Sequence, residues 1–364
     1  MKKLLVLAAT FAASSAFAGV KLEVRSDYVN TADYSAANGA NVAGSSLFTP
    51  NVARLYLNGN VGEAVVESAW NLRSFEAFVD STGDLHKNMT VDKFVDHLWA
   101  GKGMGAWMFK AGKLEVNTGG FERQKTLHGD TYLTSMANSG VGANSTATSS
   151  DVALIANPEN SSGISAGYTI TENHKLEAQV TNQTNTTTVD GGVRSTDKRH
   201  NMGLNYLGSF IDKMLVLNLN YTSGAGDVVG TGHEQSFTAA SLRVAPMADL
   251  TIDLEYFGNV DKATTTATTI ERKTNSTIVE ARYNINGWIP VLKYEMSENK
   301  SDTASEQFKR DAFAVALEYV PKADEAFRYH VAYTSIKDKD FSTAGDSTKN
   351  VITVGFKYTG DMAK

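Results

Sequence analysis

The sequence predicts an all-β fold, a transmembrane antiparallel β-barrel of about sixteen strands with long extracellular loops and short periplasmic turns. Three observations predict it. Segments of roughly ten residues alternate apolar and polar side chains along almost the whole chain. The last is the clearest, with Ile352, Val354, Phe356 and Tyr358 separated by Thr353, Gly355 and Lys357. Period two gives each strand one apolar face. No helical pattern is present to cover those faces, so lipid is the partner that fits. The connections, in turn, alternate between very short turns and long polar loops. Aromatic residues also gather near strand ends, at Tyr28, Trp70, Trp99, Trp107, Tyr206, Tyr221, Tyr256, Trp288, Tyr319 and Tyr358, as in interfacial girdles.

The N-terminus carries an address. Lys2 and Lys3 precede the apolar run Leu4 to Phe11, and Ala16-Phe17-Ala18 has the A-x-A form of a cleavage site. Residues 1–18 are therefore expected to be a signal peptide, and residues 19–364 one exported barrel domain in the cell outer membrane. No later apolar run approaches the roughly 20 residues of a membrane helix, so strands must do the spanning. With no cysteine, disulfides and thiolate metal sites are excluded; 5 prolines and 30 glycines suit strands joined by tight turns. The net charge is −6, more negative by two once Lys2 and Lys3 are removed, which argues against nucleic acid.

The elements follow in order. Strand one is Val20 to Tyr28, with Lys21, Glu23, Arg25 and Asp27 opposite its apolar face. A polar loop runs to Pro50. Strand two carries Ala53, Leu55 and Leu57, and a turn at Asn58-Gly59-Asn60 leads to Val66, Trp70 and Leu72. After a loop from Ser74 to Asn88 come Val91 to Trp99, a turn at Gly101-Lys102-Gly103, then Trp107 and Phe109. A long stretch from about Asn117 to Ser162 shows no clear alternation, and Val152 to Ile155 is kept within it. The beat resumes at Ile164 to Ile170, turns at Glu172-Asn173-His174, and returns through Leu176 to Val180. Met202 to Tyr206 and Leu215 to Tyr221 flank a turn at Gly208 to Asp212. Past a loop at Ser223 to Glu234, Ala240 to Val244 and Leu250 to Tyr256 flank Pro246-Met247-Ala248. A Thr-rich loop runs to Asn275. Val279 to Ile285 and Leu292 to Met296 flank Asn286-Gly287, a strong hairpin signal. A loop from Glu298 to Phe308 precedes Phe313 to Tyr319, and the turn from Pro321 to Glu325 opens Phe327 to Tyr333. The final strand closes the set. Soluble sandwiches would instead need connections of similar length at both ends and faces that pack on one another.

With the apolar face on lipid, Lys21, Arg25, Arg54, Arg73, Lys110, Arg243, Arg282, Lys293 and Arg328 face water. So do Glu23, Glu67, Asp253, Glu255, Glu280, Glu295 and Glu318. A barrel this wide leaves an aqueous channel, and opposed charges at a narrowing sort solutes by size and charge. The mixed signs point to passive diffusion of small hydrophilic solutes and ions, with weak selectivity. A substrate-selective channel for anions such as phosphate, or for sugars, is the alternative. A barrel anchoring adhesive loops at Asn182 to Thr188 and Ala263 to Thr269 is another. Strands two to four offer small residues (Ala53, Gly59, Ala64, Ser68), and strand four puts Lys93 and His97, or Asp92 and Asp96, outward in either register. On a lipid face a charge costs about 2–4 kcal/mol at mid-membrane for Lys or Arg, so this wall is expected to meet another protomer.

No enzyme is read from the chain. Gly163-Ile164-Ser165-Ala166-Gly167 matches G-x-S-x-G but lies in an alternating strand rather than at a strand–helix elbow. His233-Glu234 lacks the second His of a zinc helix, and Gly101 to Gly105 is too short for a phosphate loop. No catalytic residue, cofactor or metal site is expected.

Gly112-Lys113-Leu114-Glu115-Val116, followed by Gly119-Gly120-Phe121-Glu122-Arg123, resembles the end of strand five in phosphate-selective O/P-type porins. Asn117-Thr118-Gly119 stands where that type carries Pro-Phe-Gly. Gly355-Phe356-Lys357-Tyr358 is similar to the C-terminal assembly signal of outer-membrane barrels, here followed by six further residues. The chain thus resembles the sixteen-stranded, usually trimeric general porins of Gram-negative outer membranes. That resemblance implies an inward-folded loop at about 117–162, whose charged members are Glu122, Arg123, Lys125, His128 and Asp130. It also implies a homotrimer, with outer-membrane lipid and lipopolysaccharide as neighbours.

Overall fold

The computed structural model describes residues 17–35, 41–72, 95–139, 160–182, 200–228, 231–264, 269–302, 307–321, 326–339 and 346–361. Most of the expected leader, Arg73, Asp92, Lys93, the later part of the inward segment with Val152 to Ile155, and the loop tips 183–188 and 265–268 lie outside the described residues. The strands are β1 (Phe17–Ser35), β2 (Asn41–Val61), β3 (Ala64–Asn71), β4 (Val95–Met104), β5 (Trp107–Glu115), β6 (Asn160–Thr171), β7 (His174–Asn182) and β8 (His200–Phe210). They continue as β9 (Leu215–Val228), β10 (Thr231–Met247), β11 (Leu250–Thr264), β12 (Thr269–Tyr283), β13 (Trp288–Ser301), β14 (Phe308–Tyr319), β15 (Phe327–Lys339) and β16 (Ser347–Asp361). Each pairs antiparallel with its sequence neighbours, and β1 pairs with β16, closing the barrel.

Alternation decides which face each residue takes. On β13, Leu292 is 57% exposed while Glu295 is 0% exposed, the reverse of a soluble protein. Leu292 opposes Val315, and Tyr294 opposes Phe313, so the apolar sets of neighbouring strands form continuous outward rows. Trp288 stacks on Tyr319 at 4.4 Å between ring centres, near the short-turn end of the wall. At the Asn286-Gly287 turn both residues have positive φ, 51° and 89°, and Ile285 bridges Trp288. This is a primed two-residue hairpin, whose twist matches the strands.

Several boundaries differ from the sequence expectation. Residues 58–60 are still strand, Asn58 opposing Glu67, and the turn comes at Gly62-Glu63. Residues 101–103 also belong to a strand, and the next turn is Gly105-Ala106. Gly101 has a packing reason rather than a turning one: a Cβ there would lie 3.2 Å from the Trp99 ring and 3.3 Å from Lys110 Cγ. At the long-loop end the ladders run past the apolar band, so the stretches at Ser223–Glu234 and Val260–Asn275 are mostly strand. Both faces are wet there, and backbone pairing continues without apolar alternation to announce it. Pro50 lies inside β2, opposite Ser26, where the register shifts and a missing donor is tolerated.

β4 carries the largest correction. Its register with β3 slips between Ala69 and Trp70, which oppose His97 and Val95. The extra residue, Asp96, is a bulge that re-aims the strand. Asp96 meets inward Arg54 at 2.5 Å, and His97 meets inward Glu67 at 3.0 Å. Neither presents a charge to lipid. Trp99 also turns inward, with Lys110 Nζ 4.9 Å from its ring centre, and leaves the expected girdle.

After β5 the chain enters the barrel. Gly119 and Gly120 have φ of 78° and 86°. Added Cβ atoms would lie 2.3 Å from Asn220 Cβ and 2.3 Å from the Phe257 ring respectively, so only glycine allows this turn against the wall. Two short helices follow within the bore, α1 (Phe121–Leu127) and α2 (Met136–Ser139).

Candidate functional site

The inward segment is held by groups that match the polarity of its backbone. The first N–H groups of a helix lack intrahelical partners. At α1, Phe121 N and Glu122 N donate to the two oxygens of Glu255, at 2.6 and 2.9 Å. At α2, Met136 N donates to Glu295 at 2.6 Å and Ala137 N to Ser276 Oγ at 3.0 Å. The wall at β11–β13 therefore acts as an acceptor surface. Asn117, just before the turn, is held by Gln179 on β7 and by Asn220 and Thr222 on β9.

The C-terminal end of α1 meets cations. Arg54 donates to Leu127 O, Lys357 to His128 O at 2.7 Å, Arg25 to Gly129 O and to Thr131 O at 3.1 Å, and Arg282 to Asp130 O at 3.3 Å. Asp27 positions the Arg25 guanidinium at 2.8 Å and is itself bonded by His330. Negative groups at a helix N-terminus and positive groups at its C-terminus both suit the helix dipole.

Side chains add to these latches. Lys125 reaches Asp253 at 2.5 Å and Glu280 at 2.7 Å. Lys293 reaches Glu122 at 2.5 Å, where Ser135 and Asn138 also donate. Burial alone would raise the Glu122 carboxyl, but Lys293 outweighs it and holds the group below its ordinary value. Asp130 bridges Arg328 and Lys357. Burial would raise this carboxyl too, yet the two cations hold it at about 2 against an ordinary 3.8. The Tyr132 hydroxyl donates to Glu318 at 2.9 Å, and burial beside that carboxylate pushes its ionisation up.

Residues 126–132 form a partition. Thr126, Leu127, Gly129, Thr131 and Tyr132 line a cavity of 410 Å³ on the long-loop side, with Arg25, Asn51 and Arg54. His128 and Asp130 line two cavities of 420 and 400 Å³ on the short-turn side. Lys125, Arg243, Arg282 and Arg328 surround the larger of these, against Asp130 and Asp253.

Of the residues singled out from sequence, Arg25, Arg54, Arg282, Lys293 and Arg328 meet the inward segment directly, and so does Arg243, whose guanidinium lies over the Phe121 ring, 4.2 Å from its centre. Arg243 pairs with Asp253 at 2.7 Å, beside Lys125. Lys21 lies inward over Tyr56, 5.4 Å from its ring centre. Lys110 sits apart, 4.0 Å from Glu177 on β7. Glu122 and Arg123 are buried, at 1% and 4% exposure. Lys357 and Tyr132 were missed. The inward parity of Lys357 was readable in its strand, whereas nothing local marks Tyr132. Ser165 lies within β6, opposite Lys110 and Gln179, so its G-x-S-x-G has no elbow.

Solved structures share this fold. An anion-selective porin from Comamonas acidovorans is similar at 14% identity and TM-score 0.62, over 94% of this chain and 98% of that one. The outer membrane channel DcaP of Acinetobacter baumannii is similar at 13% identity and TM-score 0.59, over 94% and 98%. The trimer form of OmpT, an outer membrane protein of Vibrio cholerae, is similar at 12% identity and TM-score 0.56, over 94% and 100%. No family model and no curated protein sequence matches the chain. The likeness is one of fold, the sixteen-stranded barrel of outer-membrane porins.

Proposed function

We propose that this chain is an outer-membrane porin, a passive water-filled channel for small hydrophilic solutes and ions. One observation carries the reading: a barrel with a charged interior holds a tethered segment across its bore. A structural anchor has no need of a narrowing held by so many charged groups; a diffusion channel uses one to sort solutes. The same reading has the leader removed after Ala18 and the barrel in the cell outer membrane. It assembles as a homotrimer through the wall of β2–β4, beside which Ala100, Ala111, Ala166 and Ala178, on β4 to β7, line a shallow outer groove of 600 Å³. Lipopolysaccharide surrounds the rest. With the β4 charges turned inward, small side chains rather than lipid-facing charges support the trimer.

Liposome swelling is the test: uptake of small sugars and amino acids is expected, and none would sink the proposal. A trimer mass is expected in mild detergent. The second reading, an anion-selective channel, is favoured by the four cations around the 420 Å³ cavity. Reversal potentials in a salt gradient separate the two, near zero for weak selectivity and strongly anion-directed for the alternative.

A further inference from the structure

One group of inward side chains takes no part in holding the segment. The bulge at Asp96 turns Trp99 into the lumen, where it opposes Glu67 on β3 and Gly112 on β5. Lys110 on β5 sets its Nζ 4.9 Å from the indole ring centre. Glu177 reaches toward the same Nζ from β7 and stops 4.0 Å away. All three lie toward the short-turn end of the wall.

Open floor lies beside them. The neighbouring inward positions Gly103 and Gly167 are glycines. Among the described residues, a Cβ on Gly103 would meet only Trp107 O, at 4.0 Å, and one on Gly167 only Met108 O, at 3.8 Å. Gly167 stands on β6 directly beside Glu177, so no side chain there fills the space between the glutamate and the lysine's strand. The pair is loose by the standard of this lumen. Lys125, Lys293 and Lys357 each have a carboxylate oxygen within 2.7 Å, with side chains 13%, 2% and 6% exposed. Lys110 has none nearer than 4.0 Å among the described residues, and it and Glu177 are 29% and 30% exposed. Glu67, on the far side of Trp99, is answered by His97 at 3.0 Å.

We propose that Trp99, Lys110 and Glu177 form a binding station for zwitterionic amino acids with a flat apolar side chain. This names a solute class for the porin reading and rests on it. Such a solute carries its carboxylate and its ammonium on one carbon. The carboxylate takes Lys110 and the ammonium takes Glu177, so opposite charges meet at both contacts. The side chain lies against the indole, which packs other rings offset or edge-on. A solute with one charge alone is disfavoured, because a bare carboxylate is set beside Glu177 and a bare amine beside Lys110.

The test is a ligand-observed NMR titration of the intact folded barrel in mild detergent, against empty micelles, with L-phenylalanine as the probe. Phenylpropionate lacks the ammonium and phenethylamine lacks the carboxylate. Each should bind at least about tenfold more weakly, having lost a charge-assisted hydrogen bond. Lys110→Gln and Glu177→Gln should each weaken phenylalanine by at least about tenfold as well. Trp99→Leu should weaken it about threefold or more, and glycine by less. Lys102→Gln, on the outer face of β4, should bind like the parent. The three probes are compared on unaltered protein, so the proposal stays testable even where a variant fails to fold. Absence of phenylalanine binding would overturn it, as would equal binding of either single-charge probe. So would an unchanged Lys110→Gln or Glu177→Gln, an equal loss with Lys102→Gln, or a Trp99→Leu loss as large for glycine as for phenylalanine. Binding of this kind by a barrel that passes no solute into liposomes would defeat the porin reading and leave the station. Uptake without binding would do the reverse.

Discussion

The two sides of the bore hold the same segment in opposite ways. Along β11–β13, Glu255, Glu295 and Ser276 accept from the N–H groups that open α1 and α2. Across the bore, around the β1–β16 closure, Arg25, Arg54 and Lys357 donate to the carbonyls that end α1. The separation is not one of net charge, because Lys293 stands on the accepting side and Asp27 on the donating one. It is a separation by which backbone group is met. The difference fixes the direction in which a seven-residue helix, too short to persist alone, crosses the channel.

The largest break in this comparison is expected from Lys293→Met. It leaves Glu122, 1% exposed, as a buried charge without its cation. Removing one partner of such a pair costs about 3–5 kcal/mol, read as a fall in the midpoint of heat-induced loss of the folded form on a gel. Adding Glu122→Gln should recover part of it. If Lys293→Met alone leaves the midpoint unmoved, the pair is not a latch.

Glu255→Ala should come next, at about 1–3 kcal/mol, because it strands the N–H groups of Phe121 and Glu122 in a buried place. Its distinctive sign is noisy single-channel current as α1 loses its anchored end. A current as quiet as the parent's would remove the acceptor wall from the account.

Asp130→Asn addresses the donating side. It leaves Arg328 and Lys357 without a shared carboxylate, so it should move the reversal potential toward anions and also lower stability, by roughly 1–2 kcal/mol. pH sharpens the same point. With its carboxyl held at about 2, Asp130 contributes its full stabilisation above its ordinary 3.8 and loses it as pH falls through about 2. Selectivity carried by this group is therefore flat from pH 7 down to pH 5; a parent-minus-variant difference that vanishes within that range would contradict the assignment.

The smallest effect belongs to Lys102→Gln. Lys102 pairs with Glu63 at 2.5 Å, but their side chains are 55% and 81% exposed. A pair this wet contributes about 0–1 kcal/mol, and conductance should not change.

The chain by itself determined the barrel. Period two is a local property, so Leu292, Tyr294 and Met296 declare one face, and Lys293 and Glu295 the other, before any strand is paired. Asn286-Gly287 declared its turn for the same reason, since the dipeptide sets its own dihedrals. Parity failed where the count slipped: one extra residue at Asp96 reversed His97 and Trp99, and a bulge leaves no signal in a run of mixed residues. The ends of the long strands were hidden because apolar alternation stops where lipid stops, while hydrogen bonding continues. Only closure of the barrel decided the interior partners. Phe121 N meets Glu255 across 134 positions of sequence, and Arg328 meets Asp130 across 198. Inward parity narrows such partners to a face, but which groups share a depth depends on the stagger between strands, and that exists only once β1 has met β16.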